Sequence, residues 1–363
     1  MTLLPLHKFH EALQARFAEV HGAEVVNDFG DAPAEYAALR GSAGFVDLSF
    51  RSRLCVTGGD HARFLHGQVT NSVNDLQPGQ GCYAALVTAK GRMESDLNIH
   101  CLRDELLLDF EPGFSQRVRE RLERFVVADD VQLVDVAPHY GLLAVLGPKA
   151  EEVIARLGLG VTPPAAPLAS VSVNDSSLGE IVLVNHTRGA TAGFDLFVPV
   201  TALPALAEKL LASVKASGGR ACGWRALEML RIEAGLPRFG LDMDETNLAP
   251  ETGIGARAIS YTKGCYIGQE VINRLRTFAQ VSKALRGLRL ADDLKQLPAR
   301  GDKLFHDGKE AGYITSALAS PTFQCNIALG YVRKECNEVG TELTLRAAEG
   351  ESMAKIVPLP FRA

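Results

Sequence analysis

The spacing of hydrophobic and polar positions predicts a mixture of helices and strands in the first 140 residues or so. Apolar residues recur at helical spacing at about 7–21 and again at 33–41. Between about 82 and 110, three apolar runs are separated by short polar turns, which predicts an antiparallel meander. Pro112 then opens a charged helix that is expected to end near residue 125.

The middle of the chain continues this alternation of strands and helices. Strands are predicted at about 180–186 and 193–199, and they precede helices at 201–216 and 221–234. Helices of this kind need a sheet face on which to bury their apolar side. The pattern therefore predicts an α+β fold, with antiparallel sheets and helices packed to one side.

Periodicity is lost at 235–270, where glycines and polar residues crowd together. A stretch of this length without regular structure is usually functional in a compact domain. After Ser282, short alternating strands recur at intervals of roughly 10–15 residues, which is typical of a small β-barrel. We therefore expect a region 1–282 of two interleaved lobes that join near 130–140, and a C-terminal β-barrel at 283–363.

Composition and charge narrow the classes of protein that remain. The chain has 363 residues, a formal net charge of −5 and 47% hydrophobic residues, which argues against a disordered chain and against a polybasic nucleic-acid tail. No apolar run approaches the roughly 18 residues that span a bilayer, and the first residues do not resemble a signal peptide. We expect a cytoplasmic protein without a membrane partner.

The seven cysteines are widely spaced along the chain. They form no CxxC pair and no close cluster with histidines, so the sequence predicts no metal site and no disulfide framework. Such usage favours a reducing compartment. Six of the cysteines are interpreted as small apolar packing residues, and Cys265 is the exception.

Cys265 lies in the segment 263–270, which reads KGCYIGQE. Glycines before and after the thiol allow a tight turn, and a helix predicted to follow would favour a thiolate through its dipole. Lys263 adds positive charge, while Gln269 and Glu270 can accept or orient hydrogen bonds. The alternative is a buried cysteine that only packs in an irregular loop.

As a whole, KGCYIGQE resembles the signature of the YgfZ-type folate-binding proteins, which are relatives of the glycine cleavage T-protein. Other stretches that carry the resemblance follow in the family's order: GFVDLSFRSRLCVTGG, TAGFDLFVP, LRIEAGLPRFG and IALGYVRKE. The resemblance implies a T-protein-like, multi-lobed folate-binding fold, with tetrahydrofolate or a folate derivative as cofactor. It also implies a role in iron–sulfur cluster assembly or repair, with Cys265 as the key residue.

The implied partners are folate and iron–sulfur proteins or their assembly factors, and a link to tRNA modification follows through iron–sulfur enzymes. On this basis we expect an assembly factor rather than a classical turnover enzyme. Two alternatives stay open. One is a folate-dependent aminomethyltransferase of the glycine cleavage type, and the other is a folate-responsive scaffold in which Cys265 only packs.

The resemblance also assigns residues to the folate site. Where T-proteins carry two adjacent aspartates, this chain has Ser95 and Asp96, so Asp96 is expected to serve the reaction. The glutamate that holds the pterin in T-proteins corresponds to Asp195. The loss of the first aspartate, at Ser95, weighs against the aminomethyltransferase alternative.

The helix before LRIEAG differs from the T-protein pattern, because Leu227 replaces an arginine there. Arg225 and Arg231 are the nearby candidates for its role, and Phe239 is expected to supply an aromatic wall or to pack in the core. The expected catalytic residues are thus Cys265 and Asp96, and the expected cofactor-binding residues are Asp195, Phe239, Arg231, Lys263, Gln269 and Glu270.

Between 271 and 290 every charged side chain is cationic. This tract predicts a positive patch that suits the glutamate tail of a folate or an acidic partner. It contains one aromatic residue, Phe278, and the whole chain is negatively charged, so stable nucleic-acid binding is not expected.

Overall fold

The computed structural model divides into two compact units and describes residues 1–277, 281–348 and 350–362. The first unit comprises residues 1–84 and 95–228. The second comprises residues 85–94 together with the chain from Met229 onward. Phe278, the aromatic residue of the basic tract, lies outside the described residues.

The first unit contains most of the regular elements. Its helices are α1 (His7–Ala12), α2 (Ala32–Gly41), α3 (His61–Gln68), α4 (Ser115–Glu123), α5 (Ala150–Arg156), α6 (Leu203–Ala216) and α7 (Trp224–Glu233), the last of which continues into the second unit. Its strands are β1 (Arg16–Val20), β2 (Ala23–Asp28), β3 (Gly44–Asp47), β4 (Ser52–Thr57), β5 (Gly81–Val87), β6 (Met93–Cys101), β7 (Leu106–Phe110), β8 (Gln132–Asp135), β9 (Tyr140–Leu146), β10 (Ser170–Asp175), β11 (Gly179–Asn185), β12 (Gly193–Pro199) and β13 (Arg220–Ala221). The end of β5 and the start of β6 belong to residues 85–94 of the second unit.

The helix predicted over 7–21 is wrong beyond Ala12. Helix α1 ends there, and β1 and β2 form an antiparallel hairpin. The two residues between these strands, His21 and Gly22, have φ values of 48° and 81°. Positive φ at both central positions suits the tight turn of a β-hairpin, and this turn outweighs the helical spacing of the apolar residues.

Two sheets form the framework of the first unit. Strands β5, β6 and β7 lie side by side, as the predicted meander requires, in a five-stranded sheet of order β5-β6-β7-β4-β8. The six-stranded sheet has the order β10-β11-β12-β9-β3-β13, in which β13 runs parallel to β3 and the other described pairs are antiparallel. The predicted α+β class is confirmed.

Helices cover one face of the six-stranded sheet. Leu196 of β12 packs with Leu210 of α6 in a fully buried apolar core. Because side chains alternate along a strand, Asp195 and Phe197 point to the opposite face. There the Phe197 ring contacts the imidazole of His100 on β6, with 5.8 Å between ring centroids. The five-stranded sheet therefore lies against this second face.

The second unit is dominated by a barrel. It contains the helices α8 (Gly255–Ala258) and α9 (Gln269–Thr277) and the strands β14 (Lys283–Leu290), β15 (Lys303–His306), β16 (Lys309–Ser320), β17 (Cys325–Arg333), β18 (Glu342–Ala347) and β19 (Gly350–Val357). The strands close in the order β14-β17-β16-β15-β18-β19. Buried residues such as Leu288, Ile314 and Leu345 fill its core. The predicted C-terminal β-barrel is confirmed, and its first strand begins at Lys283.

All seven cysteines are free thiols. Cys55, Cys101 and Cys222 are buried, which raises the pKa of their thiols, whereas Cys265 is exposed. In the part of the chain that the structure describes, no helix is both long and apolar enough to cross a membrane.

Candidate functional site

A layer of polar side chains lies between the two sheets of the first unit. Asp96, Asn98 and His100 occupy alternate positions of β6 and so share one face of the sheet. Strand pairing places Asp109 of β7 opposite Asn98, and Arg53 of β4 opposite Asp109. Apolar side chains normally fill the space between packed sheets. A polar layer there indicates a functional site.

Asp109 is the centre of this layer and is fully buried. Its Oδ1 accepts a hydrogen bond from Nε of Arg51 at 2.6 Å. Its Oδ2 accepts from Nδ2 of Asn98 at 3.0 Å and from Nη2 of Arg188 at 3.3 Å. Burial alone would raise the pKa of Asp109, but Arg51 and Arg188 lower it to about 2. Arg51 also donates to Glu111 at 2.7 Å, so its guanidinium bridges two carboxylates.

Asp195, the predicted pterin ligand, has no exposed surface. Its Oδ2 accepts from Nδ1 of His186 at 2.8 Å and from Nη2 of Arg188 at 2.6 Å, and its Oδ1 accepts from Nε of Arg188 at 3.2 Å. Burial would raise the pKa of Asp195, yet Arg188 and His186 hold it well below its usual value. Burial and Arg188 lower the pKa of His186, so a neutral imidazole donates this hydrogen bond.

The connection between β11 and β12 brings Arg188 to Asp195. Residues Arg188–Ala190 form a short 3₁₀ turn, in which Gly189 and Ala190 have φ values of 59° and 58°. These left-handed conformations reverse the chain within a few residues. The turn therefore folds the Arg188 side chain back onto the strand that carries its partner.

Asp109, His186 and Asp195 offer ligand atoms that all lie within 4.8 Å of one another. Carboxylate and imidazole are common ligands of divalent metals. In this protein, however, the guanidinium of Arg188 contacts both carboxylates and compensates their charge. We therefore interpret the group as a buried ion-pair network.

Asp96 differs from the other two aspartates of the layer. Its Oδ2 accepts a hydrogen bond from the Tyr83 hydroxyl at 2.7 Å, whereas its Oδ1 is buried without a hydrogen-bond partner among the described residues. Burial raises the pKa of Asp96 to about 6, and the negative charge of Glu111 adds to the rise. A carboxyl group that titrates there can take up and return a proton near neutral pH. Ser95 is buried, and its hydroxyl donates to the Asp96 carbonyl at 3.1 Å.

Two further residues of the layer carry buried polar atoms that lack a partner within the described ranges. They are His100, at Nε2, and Arg53, at Nε and Nη1. Burial lowers the pKa of His100 to about 4 and that of Arg53 to about 10. Native proteins leave few buried polar atoms unpaired, and a ligand or ordered water is a common explanation. Together with Asp96, these residues favour a ligand-binding role for the layer.

The segment KGCYIGQE lies in the second unit, directly before and into α9. Cys265 is exposed, so the alternative of a buried packing cysteine does not hold. Gly268 has a φ of 86°, and a Cβ at this position would lie 2.5 Å from the carbonyl oxygen of Thr88. Only glycine fits this close backbone approach, which anchors the turn that carries the thiol.

The other predicted residues of this segment have local contacts. The Lys263 ammonium lies over the Tyr266 ring, 4.9 Å from its centroid. Nε2 of Gln269 donates to the carbonyl oxygen of Gly264 at 3.4 Å, and Glu270 is exposed in the first turn of α9. Their expected folate contacts stay predictions.

Arg231 and Phe239 are both buried within the second unit. Nη1 of Arg231 donates to Oδ2 of Asp242 at 2.5 Å, and its Nη2 donates to Oγ of Ser316 at 2.8 Å. Phe239 has no exposed surface, and Arg225 is exposed. The hydrogen bonds of Arg231 and the complete burial of Phe239 are those of a packed interior, and a role in binding folate stays a prediction for each.

Sequence reasoning missed several residues of the polar layer: Arg51, Asp109, His186 and Arg188. Arg51 and Asp109 are 58 positions apart, and Arg188 and Asp109 are 79 apart, so sequence distance hides both pairs. One signal was present in ESDLNIHC, where Asp, Asn and His alternate with apolar residues at the period of a strand. A strand that buries an apolar face on one side and a polar face on the other indicates a functional site.

Comparisons with known proteins agree with this architecture. Residues 6–263 match the GCVT N-terminal domain, and residues 283–362 match the glycine cleavage T-protein C-terminal barrel domain. An aminomethyltransferase of Geobacillus kaustophilus is 30% identical over 98% of this chain and 97% of its own length. An aminomethyltransferase of Halalkalibacterium halodurans is 28% identical over the same shares. A putative chloroplastic transferase of Arabidopsis thaliana is 28% identical over 98% of this chain and 80% of its own length.

Among solved structures, the glycine cleavage system aminomethyltransferase T from Bartonella henselae has a TM-score of 0.90 to this chain. The match covers 99% of this chain and 98% of that protein at 24% identity, so it shows a common fold. The N-terminal domain alone accounts for more than half of the residues. The chain therefore belongs to the glycine cleavage T-protein family.

Proposed function

We propose that this protein binds tetrahydrofolate or a folate derivative in the polar layer of its first unit and catalyses aminomethyl transfer of the glycine cleavage type. The observation that carries the proposal is Asp96, whose Oδ1 is buried and unpaired among the described residues and whose pKa is raised to about 6. The relatives from Geobacillus kaustophilus and Halalkalibacterium halodurans are named aminomethyltransferases, which supports the same reaction.

Aminomethyl transfer requires proton transfer, which a carboxyl group such as that of Asp96 can carry out. The transfer joins the aminomethyl carbon to folate nitrogens, releases ammonia and returns the lipoyl thiol, so protons must pass from the folate nitrogens to the leaving groups. Asp96 as a carboxylate accepts a proton from an attacking nitrogen and, with its raised pKa, can return it. The hydrogen bond from Tyr83 fixes the carboxyl group for this role.

An ammonia-release assay tests the proposal, with the full chain, tetrahydrofolate and an aminomethyl-lipoyl carrier protein. We expect turnover by the parent and a fall in kcat of about 100-fold in Asp96→Asn, because general acid–base catalysis contributes about that much. Asp104→Asn is the matched control, since Asp104 lies at an exposed loop position. A parent protein that releases no ammonia would remove the proposal.

A second candidate function is assistance in iron–sulfur cluster assembly or repair, the role of the YgfZ-type proteins that KGCYIGQE resembles. The exposed Cys265 favours it, because an accessible thiol can exchange with sulfur or bind iron transiently. A cluster usually needs about four ligands, so one thiol would share a cluster with an iron–sulfur protein or an assembly factor.

Complementation separates the two candidates. In a strain that lacks its own copy, iron–sulfur enzymes, among them one that modifies tRNA, are assayed after supplying the parent, Cys265→Ser or Cys336→Ser. The cluster function predicts that Cys265→Ser fails and that the control Cys336→Ser restores activity. Full recovery with Cys265→Ser removes this candidate and leaves the transferase proposal standing.

A further inference from the structure

The carboxylate of Asp195 has little capacity left for a ligand. An ionised carboxylate has about four acceptor positions, and three N–H groups from His186 and Arg188 already point at this one. Asp195 also has no exposed surface. A pterin that placed its two ring N–H donors on Asp195 would first have to displace Arg188.

Displacing Arg188 is strongly unfavourable. Its guanidinium lies between Asp109 and Asp195, both of which are fully buried. Removing this cation would leave the negative charges of two buried carboxylates poorly balanced. Such a change is among the most destabilising that a protein interior can undergo. We therefore expect Arg188 to stay in place when a ligand enters.

The guanidinium has donors left after these contacts are made. Arg188 uses Nε and Nη2 for the two aspartates, and no described residue accepts a hydrogen bond from its Nη1. Its side chain is 15% exposed, in contrast to the fully buried carboxylates behind it. Arg188 and His186, whose side chain is equally exposed, are therefore the groups of the ion-pair network that solvent reaches beside Asp195, and of the two Arg188 is the cation that can only donate.

We propose that Arg188 is a ligand-binding and specificity-determining residue, which offers its Nη1 donors to an acceptor atom of the bound ring. Asp109 and Asp195 are then positioning residues that hold the guanidinium in place. This inference rests on the proposed folate site, where the matching acceptor is the 4-oxo oxygen of the pterin.

The proposal makes a chemical distinction between two ligands of almost the same shape. The 4-oxo group of tetrahydrofolate is an acceptor, whereas the 4-amino group of its 4-amino analogue is a donor. A guanidinium attracts the first and repels the second. Glutamine can either accept or donate through its amide, so Arg188→Gln removes the reason for the preference.

Calorimetric titration of the full chain with tetrahydrofolate and with its 4-amino analogue tests the inference. We expect the parent to bind the 4-oxo compound at least about tenfold more tightly, as a hydrogen bond to a charged group predicts. We expect Arg188→Gln to lose most of that ratio and Arg188→Lys to keep its direction. Arg156→Gln, at an exposed helix position, is the control and should keep the parent's ratio.

The ratio of the two affinities is the readout, because a merely structural role of Arg188 would weaken the binding of both ligands equally. An unchanged ratio in Arg188→Gln, or a parent that shows no preference, overturns the inference while the folate site stands. A parent that binds neither compound overturns the folate site and this inference with it. If Arg188→Gln fails to fold, the inference is tested by two affinity ratios alone: the parent and Arg188→Lys should both prefer the 4-oxo compound over the 4-amino analogue.

Discussion

Nη2 of Arg188 lies 2.6 Å from Oδ2 of Asp195, seven positions further along the chain. This contact divides the aspartates of the polar layer into two classes. Arginines hold Asp109 and Asp195 in the ionised form, whereas burial raises the pKa of Asp96 to about 6. A proton can therefore be exchanged near neutral pH at Asp96 and not at the other two.

Asp96→Asn is expected to stabilise the protein while it removes activity. The pKa of Asp96 is near 3.9 in the unfolded chain and about 6 in the folded protein. Between these two pH values the native state keeps a proton that the unfolded state has released, so the stability of the parent falls as pH rises through this range. At pH 8 the variant should gain on the order of 2–3 kcal/mol in the free energy of unfolding. Urea unfolding at pH 4 and pH 8 checks this, and an equal difference at both pH values would contradict it.

The same group predicts the pH dependence of the proposed transfer. If the Asp96 carboxylate is the base, kcat of the parent should fall about tenfold per pH unit below about 6 and level off above it. Initial rates of ammonia release between pH 5 and pH 8 measure this profile. A rate that stays constant across that range would show that Asp96 carries no proton in the slow step.

Asp195→Asn should lower the stability because it leaves the half-buried Arg188 guanidinium with one charged partner in place of two. We expect the free energy of unfolding to fall by about 3–5 kcal/mol at pH 7. The depressed pKa of Asp195 means that this contribution is present above about pH 4 and is lost as pH falls further. Urea unfolding gives the values, and Glu152→Gln, which touches an exposed ion pair, should change nothing measurable. A variant as stable as the parent would refute the ion-pair interpretation.

Gly268→Ala tests the turn that presents Cys265. Gly268 and Gly253 have φ values of 86° and 79°, but an added Cβ would meet the Thr88 carbonyl oxygen at 2.5 Å in the first case and only Leu285 at 3.9 Å in the second. We expect Gly268→Ala to cost more than about 2 kcal/mol and Gly253→Ala about 1 kcal/mol in the free energy of unfolding. Equal costs, measured by urea denaturation, would show that the close approach to Thr88 is unimportant.

The sequence predicted the fold well where patterns are local. Strand alternation and turn residues identified the meander and the barrel, and both are confirmed. The helix over 7–21 failed because two residues, His21 and Gly22, adopt a turn that apolar spacing does not reveal. The strand Ser170–Asp175, which pairs with β11, was missed although its Ser-Val-Ser-Val alternation has the period of a strand.

The site was less predictable than the fold. Asp96 and Asp195 were identified through family resemblance, but their protonation depends on partners that only tertiary structure supplies. Arg51 reaches Asp109 across 58 positions, and Arg188 reaches the same carboxylate across 79. No periodicity in the sequence encodes such pairs, and they decide which carboxyl group is able to exchange a proton.

A crystal structure of the full chain with tetrahydrofolate bound would show directly whether the polar layer of the first unit is the folate site. We expect the pterin to lie in the polar layer, with a ring nitrogen facing Asp96 and the 4-oxo oxygen about 3 Å from Nη1 of Arg188. Folate bound away from this layer, or a pterin seated directly on Asp195 with Arg188 displaced, would contradict this expectation.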